Sequence, residues 1–152
     1  MNYSFLVSSL PQLEFNMPAP LTREKFIEMC EGEWPVKGAL LSKWRDLDCQ
    51  MRNAIAEARG GLRYVRETHG CSLFWRGRIT QAFQEKDILK REELIDKVRW
   101  DAAGELTPYE SPLSKGALAT YAIRLEIALK RAMISRDGGK EAFDRLTAET
   151  KR

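Results

Sequence analysis

The chain is 152 residues long, with 43% hydrophobic and 31% charged side chains and a formal charge of +3. That length suits one domain able to bury a core without disulfides or metals, and the composition is an ordinary soluble one tilted toward helix formers. The charge is too small to imply a nucleic-acid partner by itself, and the longest uncharged run, Met1 to Leu13, is too short and too polar to span a bilayer.

The opening segment, NYSFLVSSLPQL, fits either a strand or a helix. Tyr3, Phe5 and Val7 alternate with Ser4, Leu6 and Ser8, whereas Tyr3, Leu6, Val7 and Leu10 share one helical face. A lone strand has no partner in an otherwise helical chain, so a short helix or an extended segment docked on the core is expected. Met1 begins no secretory signal, because no basic stretch precedes the apolar residues and Pro11 cuts them short. Asn16 to Pro20 is an irregular connection, and Thr22 then caps a short helix to about Glu31 with Phe26, Ile27 and Cys30 inward. Gly32 stops it.

The stretch from Leu40 to Arg59 predicts a long amphipathic helix. Leu41, Trp44, Asp48, Met51, Ile55 and Ala58 recur at helical spacing, widened by Leu40, Leu47 and Ala54, and only Asp48 among them is polar. Gln50, Arg52, Asn53 and Glu57 are assigned to the solvated side, with an Asp48/Arg52 pair among them. Gly60 and Gly61 weaken or end the helix, although Leu62, Tyr64 and Val65 are able to resume it as far as His69 or Gly70. Such a helix is stable only with other helices against its apolar face.

A further helix is predicted from Ser72 to Lys86, with Phe74, Trp75, Ile79, Ala82 and Phe83 inward. The next, from Asp87 to Leu106, carries Leu94, Ile95, Val98, Ala102 and Leu106 on one stripe, with Trp100 off it and free for a second contact. Its Glu93/Lys97 and Lys97/Asp101 pairs are placed on the solvated side. Thr107 to Pro112 reads as the main linker, with a candidate hinge at 107–113. Ser114 caps a long helix to about Ser135, with Leu118, Tyr121, Leu125, Ala128, Leu129 and Ala132 inward; a turn at Arg136–Gly139 and a last short helix at Lys140–Thr150 follow.

The candidate chemistry is sparse. Cys30, Cys49 and Cys71 are odd in number and widely spaced, which suits reduced thiols in the cytosol. With His69 they do not make the paired clamp of a zinc site, and no activated nucleophile is marked. Glu92, Glu93, Asp96 and Asp101 lie at helical spacing opposite an apolar stripe, the pattern of a solvated face rather than an acid/base pair. Neither Gly60-Gly61 nor Gly138-Gly139 has the strand and lysine of a phosphate loop. No catalytic residue, metal or cofactor is expected, and the chain is not read as an enzyme.

Charge is uneven along the chain. Met1 to Pro35 sets Arg23 and Lys25 against five glutamates, a net of −3, while Arg59 to Arg78 sets five arginines against Glu67, a net of +4. In that basic shoulder Arg59, Arg63 and Arg66 form one stripe if the helix continues, and Arg76 and Arg78 add to it beside Tyr64 and Trp75. Arginine interleaved with aromatics suits acidic protein surfaces and nucleic acid alike. Trp34, Trp75 and Trp100 are not claimed by the main stripes, and Trp75 lies nearest the shoulder. Arg63, Arg66, Trp75, Arg76 and Arg78 are therefore the expected partner-facing patch, with an acidic partner.

Five segments in order resemble one family: YSFLVSSLPQL, PLTREKFIEMCEG, KWRDLDCQMRNAIAEAR, ELIDKVRWDAAGEL and LSKGALATYAIRLEIALKRAMISRDGGKEAFDRL. It is a small bacterial family of unknown function, its members typically encoded among the genes of V/A-type ATP synthases. That family in turn resembles a reduced form of the synthase's stalk-seating component, the all-helical funnel that seats the central stalk on the membrane ring. The full funnel proteins are longer than this chain, and the family brings no catalytic residues to carry over. The resemblance implies a non-catalytic stalk or assembly subunit, cytoplasmic and peripheral to a proton- or sodium-transporting complex, with other synthase subunits as partners. The residues alone leave an alternative open, a helical nucleic-acid-binding or adaptor module using 59–78.

The expected fold is all-α, one domain over 1–152 with five to seven helices and funnel-like helical packing. Trp44, Met51, Ile55, Leu94, Val98, Leu118, Tyr121 and Leu125 are its expected core.

Overall fold

The computed structural model describes residues 2–60 and 73–137, and within them the chain is all-α, with six helices and no strand. They are α1 (Tyr3–Ser9), α2 (Arg23–Met29), α3 (Gly38–Ala58), α4 (Leu73–Ala82), α5 (Ile88–Ala103) and α6 (Lys115–Asp137).

The helix starts follow from local chemistry. Side chains of Asn2, Thr22 and Asp87 accept from backbone amides of the first turns of α1, α2 and α5, relieving donors that have no partner within the helix. The Ser114 hydroxyl does the same for Ala117 at the start of α6. The ambiguous opening resolves as helix, with Leu6 buried and Tyr3, Val7 and Leu10 packed beside it. At the end of α3, Gly60 takes φ +78 and its amide bonds the Glu57 carbonyl, a left-handed stop that an L side chain resists. The helix therefore ends at Ala58, short of the His69 or Gly70 left open by its sequence. In contrast, α6 runs through Asp137, into the turn expected at Arg136–Gly139. The last helix expected at 140–150 lies outside the described residues.

Cross-links give the topology. Asp48 meets Arg99 and Arg59 meets Glu92, so α3 and α5 are antiparallel. Arg131 meets Asp96, Arg124 donates to the Trp100 carbonyl, and Thr120 donates to the Ala103 carbonyl, so α5 and α6 are antiparallel too. Thus α3 and α6 run parallel on either side of α5. The short α4 is tied to α3 by Arg76–Glu57 and to α5 by Arg78–Asp101.

The core has two parts. One is built from Leu6, Phe26, Cys30, Val36, Trp100, Ala103, Leu106 and the inner side of α6; the other from Met51, Ala54, Trp75, Ile79, Ala82, Ile95, Val98 and Ala102. Helix α5 faces both, with Trp100 turned into the first and Val98 and Ala102 into the second. Trp44 packs against both clusters from α3. Leu106 is fully buried, and its carbonyl accepts from Lys43, so the 104–114 connection is tied down where it leaves α5.

Several side chains depart from the stripes. Leu94 is exposed at 43%, because Ile95 and Val98 turn the buried side of α5 toward α4 and α3. Phe74 is exposed at 66%, since burial along α4 falls on Trp75, Ile79 and Ala82. Gln50 and Asn53, assigned to the solvated side of α3, are buried, while Ala58 is exposed. Met51, Val98, Leu118 and Leu125 are core residues as expected, whereas Trp44, Ile55 and Tyr121 are half-buried. Trp75 and Trp100 are buried and Trp34 is half-buried, so none of the three stands as a surface anchor. The physical reason is that α5 packs on two sides, which claims aromatics that a single-stripe helix leaves out.

Candidate functional site

The basic shoulder is the first place to look. Trp75 is only 8% exposed and sits in the second core cluster, with the Arg78 guanidinium 5.6 Å from its ring centre. Arg76 donates to Glu57 at 2.6 Å and Arg78 to Asp101 at 2.7 Å. Arg59 donates to Glu92 at 3.1 Å and lies near the Phe83 ring. These arginines hold helices together. Arg63 and Arg66, with Tyr64, His69 and Cys71, lie outside the described residues. Burial would raise the Asp101 carboxyl, but hydrogen bonds from Arg78 and Lys97 outweigh it and hold the group below its usual range. Of the pairs expected on α5, Lys97–Asp101 forms at 3.0 Å, while Glu93 turns instead to Asn16 at 2.6 Å.

A different feature stands out once the helices are placed. The parallel helices α3 and α6 wall a groove of about 670 Å³ whose floor is the first part of α5. Ile55 on α3, Leu89 and Ile95 on α5, and Ile127 and Ile134 on α6 give it an apolar lining. Ile95 and Ile127 are buried at its base, whereas Leu89 and Ile134 are exposed at its lip. Charges surround this lining: Arg52 and Arg59 on one wall, Lys130 and Arg131 on the other, Glu92, Glu93 and Asp96 along the floor.

The floor carboxylates are not the solvated face their spacing suggested. Asp96 accepts from Arg131 at 2.9 Å, yet desolvation outweighs that partner and raises its pKa. Glu92 is raised in the same way, against the opposing charge of Arg59. Arg131 also donates to Asn16 at 2.7 Å and covers the Phe15 ring, which fastens the segment before α2 to α6. At the far end, Asp48 accepts from both Arg52 and Arg99 at 2.9 Å, with its side chain 13% exposed.

Sequence reasoning marked Ile55, Ile95, Glu92, Glu93 and Asp96 individually without joining them, and passed over Ile127, Lys130, Arg131 and Ile134. The available signal was on α6, where Ile123, Ile127 and Ile134 extend its apolar surface beyond the stripe assigned to it. Among the described residues no group of three or more His, Cys, Asp or Glu is placed to hold a metal, and no helix is long and apolar enough to cross a membrane. Comparison with protein-family models, curated proteins and solved structures gives no match to this chain.

Proposed function

We propose that this chain is a non-catalytic docking subunit that meets its partner through the α3/α5/α6 groove. The groove is the observation that carries the reading: an apolar centre open to solvent, lined at three-, four- and seven-residue spacing, and rimmed by charge. The family resemblance supplies the assembly, the central stalk of a V/A-type ATP synthase, with its other subunits as partners. A helical body bound through an apolar centre and a charged rim suits a stalk that must hold together under torque. The alternative, a nucleic-acid module using 59–78, is weakened because Arg59, Arg76 and Arg78 already bind carboxylates of this chain.

The test is copurification from cells expressing the synthase. The tagged chain should retain stalk subunits, and Leu89→Glu with Ile134→Glu should lose them at an unchanged melting temperature, since both side chains lie at the exposed lip. Retention by the double variant, or a wild-type chain retaining no synthase subunit, overturns the reading. Binding to duplex DNA or RNA that weakens log-linearly with salt would favour the alternative instead.

A further inference from the structure

Resting on that docking reading, we infer that the groove takes a single amphipathic α-helix whose apolar stripe is flanked by carboxylates on both sides. Three features select this occupant. The first is shape. The lining on α5 runs from Leu89 to Arg99, about 15 Å at 1.5 Å per residue, which matches nearly three turns of a helix. With α3 and α6 parallel and α5 beneath, the groove is the vacant fourth position of a helical bundle.

The second is the spacing of the apolar residues. Ile127 and Ile134 are two turns apart on one wall, Ile55 stands on the other, and Leu89 and Ile95 lie between them. Such rows receive side chains projecting at i, i+3 or i+4, and i+7 from an incoming helix. The third is the placement of charge. The carboxylates lie on the floor helix, with Glu92 bound to Arg59 and Asp96 to Arg131, whereas both rims end in cations. Arg52 and Arg59 remain half or more exposed on one rim. Lys130 on the other is exposed and forms no ion pair among the described residues. A helix seated on the apolar floor therefore meets positive charge on both flanks, and acidic flanks complement it.

The experiment uses the full chain and helix-stabilised fluorescent peptides with one Leu/Ile stripe, flanked either by Glu or by Lys. The Glu-flanked peptide should bind with an affinity that falls as salt rises, and the Lys-flanked peptide at least about tenfold more weakly. Arg52→Glu with Lys130→Glu should reverse this preference, and Lys130→Glu alone should reduce it if the double variant is unstable. Equal binding of both peptides, or no reversal, overturns the acidic helix. So does laurate displacing an apolar dye from a groove that binds neither peptide, which assigns the site to a small anionic amphiphile. If the Leu89→Glu/Ile134→Glu chain loses synthase subunits while no Glu-flanked peptide binds, the docking reading stands and this occupant fails.

Discussion

Asp48 is the residue whose position in the sequence most understates its role. A lone carboxylate in an apolar stripe looks like an interruption; in the fold it is nearly buried and holds Arg99 across the α3–α5 contact as well as Arg52 on its own helix. Asp48→Ala leaves the Arg99 guanidinium, itself mostly covered, without its counter-charge. The expected cost is about 2–3 kcal/mol, below that of breaking a fully buried pair, and is read from denaturant midpoints. A loss under about 1 kcal/mol would place the pair with ordinary surface bridges. Two other carboxylates make opposite pH predictions. The folded pKa of Asp96 lies above its ordinary value of 3.8, because burial disfavours the charged form. Its stabilising contribution is full below that value and is lost as pH rises through the folded pKa. Asp101 is lowered, so its contribution is present above 3.8 and is lost as pH falls through its folded pKa. Stability curves of Asp96→Asn and Asp101→Asn against the parent chain should diverge in opposite directions as the pH approaches 3.8 from above and then passes below it. Parallel curves would contradict both assignments.

At the scale of elements, the end of α2 shows a cost the fold accepts. The Gly32 amide bonds the Ile27 carbonyl and the Glu31 amide bonds that of Glu28, a Schellman closure that puts Glu31 at φ +59. An L side chain is disfavoured there, so Glu31→Gly should stabilise the chain by about 0.5–1 kcal/mol, visible as a rise of a few degrees in Tm. At the start of α6 the reverse holds. A Cβ on Gly116 would stand 2.1 Å from the Thr107 hydroxyl and 2.6 Å from its Cβ, so Gly116→Ala forces the linker away from the helix. We expect a loss of about 1–3 kcal/mol, partly recovered by Thr107→Gly; an unchanged Tm would show that the linker yields freely. Most helices were legible in the sequence because each carries a start signal and one apolar face: Thr22, Asp87 and Ser114 cap as their side chains dictate. Faces were less legible. A stripe drawn for one neighbour left Trp100 unassigned and pointed Leu94 inward, because a sequence does not say that α5 has neighbours on two sides. The groove was hidden for the same reason, its lining being brought together from three helices by tertiary packing alone.

For the molecule as a whole, the question is whether two core clusters make one cooperative unit. Helix α5 belongs to both, with Trp100 and Ala103 in one and Ile95, Val98 and Ala102 in the other, and Trp44 packs on each. A helix buried on two sides cannot lose one cluster without baring apolar surface to water, at about 25 cal/mol per Å². That coupling predicts a single unfolding transition. The tryptophans allow a direct check, because Trp34, Trp44 and Trp100 report on the first cluster and Trp75 sits in the second. In Trp75→Phe, fluorescence follows the first cluster while circular dichroism follows all helices, and the two midpoints should coincide. Trp44→Ala should then lower both together by about 3 kcal/mol, the low end for a tryptophan because this one is half-buried. Separate midpoints, or a Trp44→Ala chain that splits one transition into two, would mean that α3 and α4 open away from the α1/α2/α6 cluster. A groove walled by α3 on one side and α6 on the other depends on that separation being forbidden, since a partner seated between them binds only while both walls keep their places.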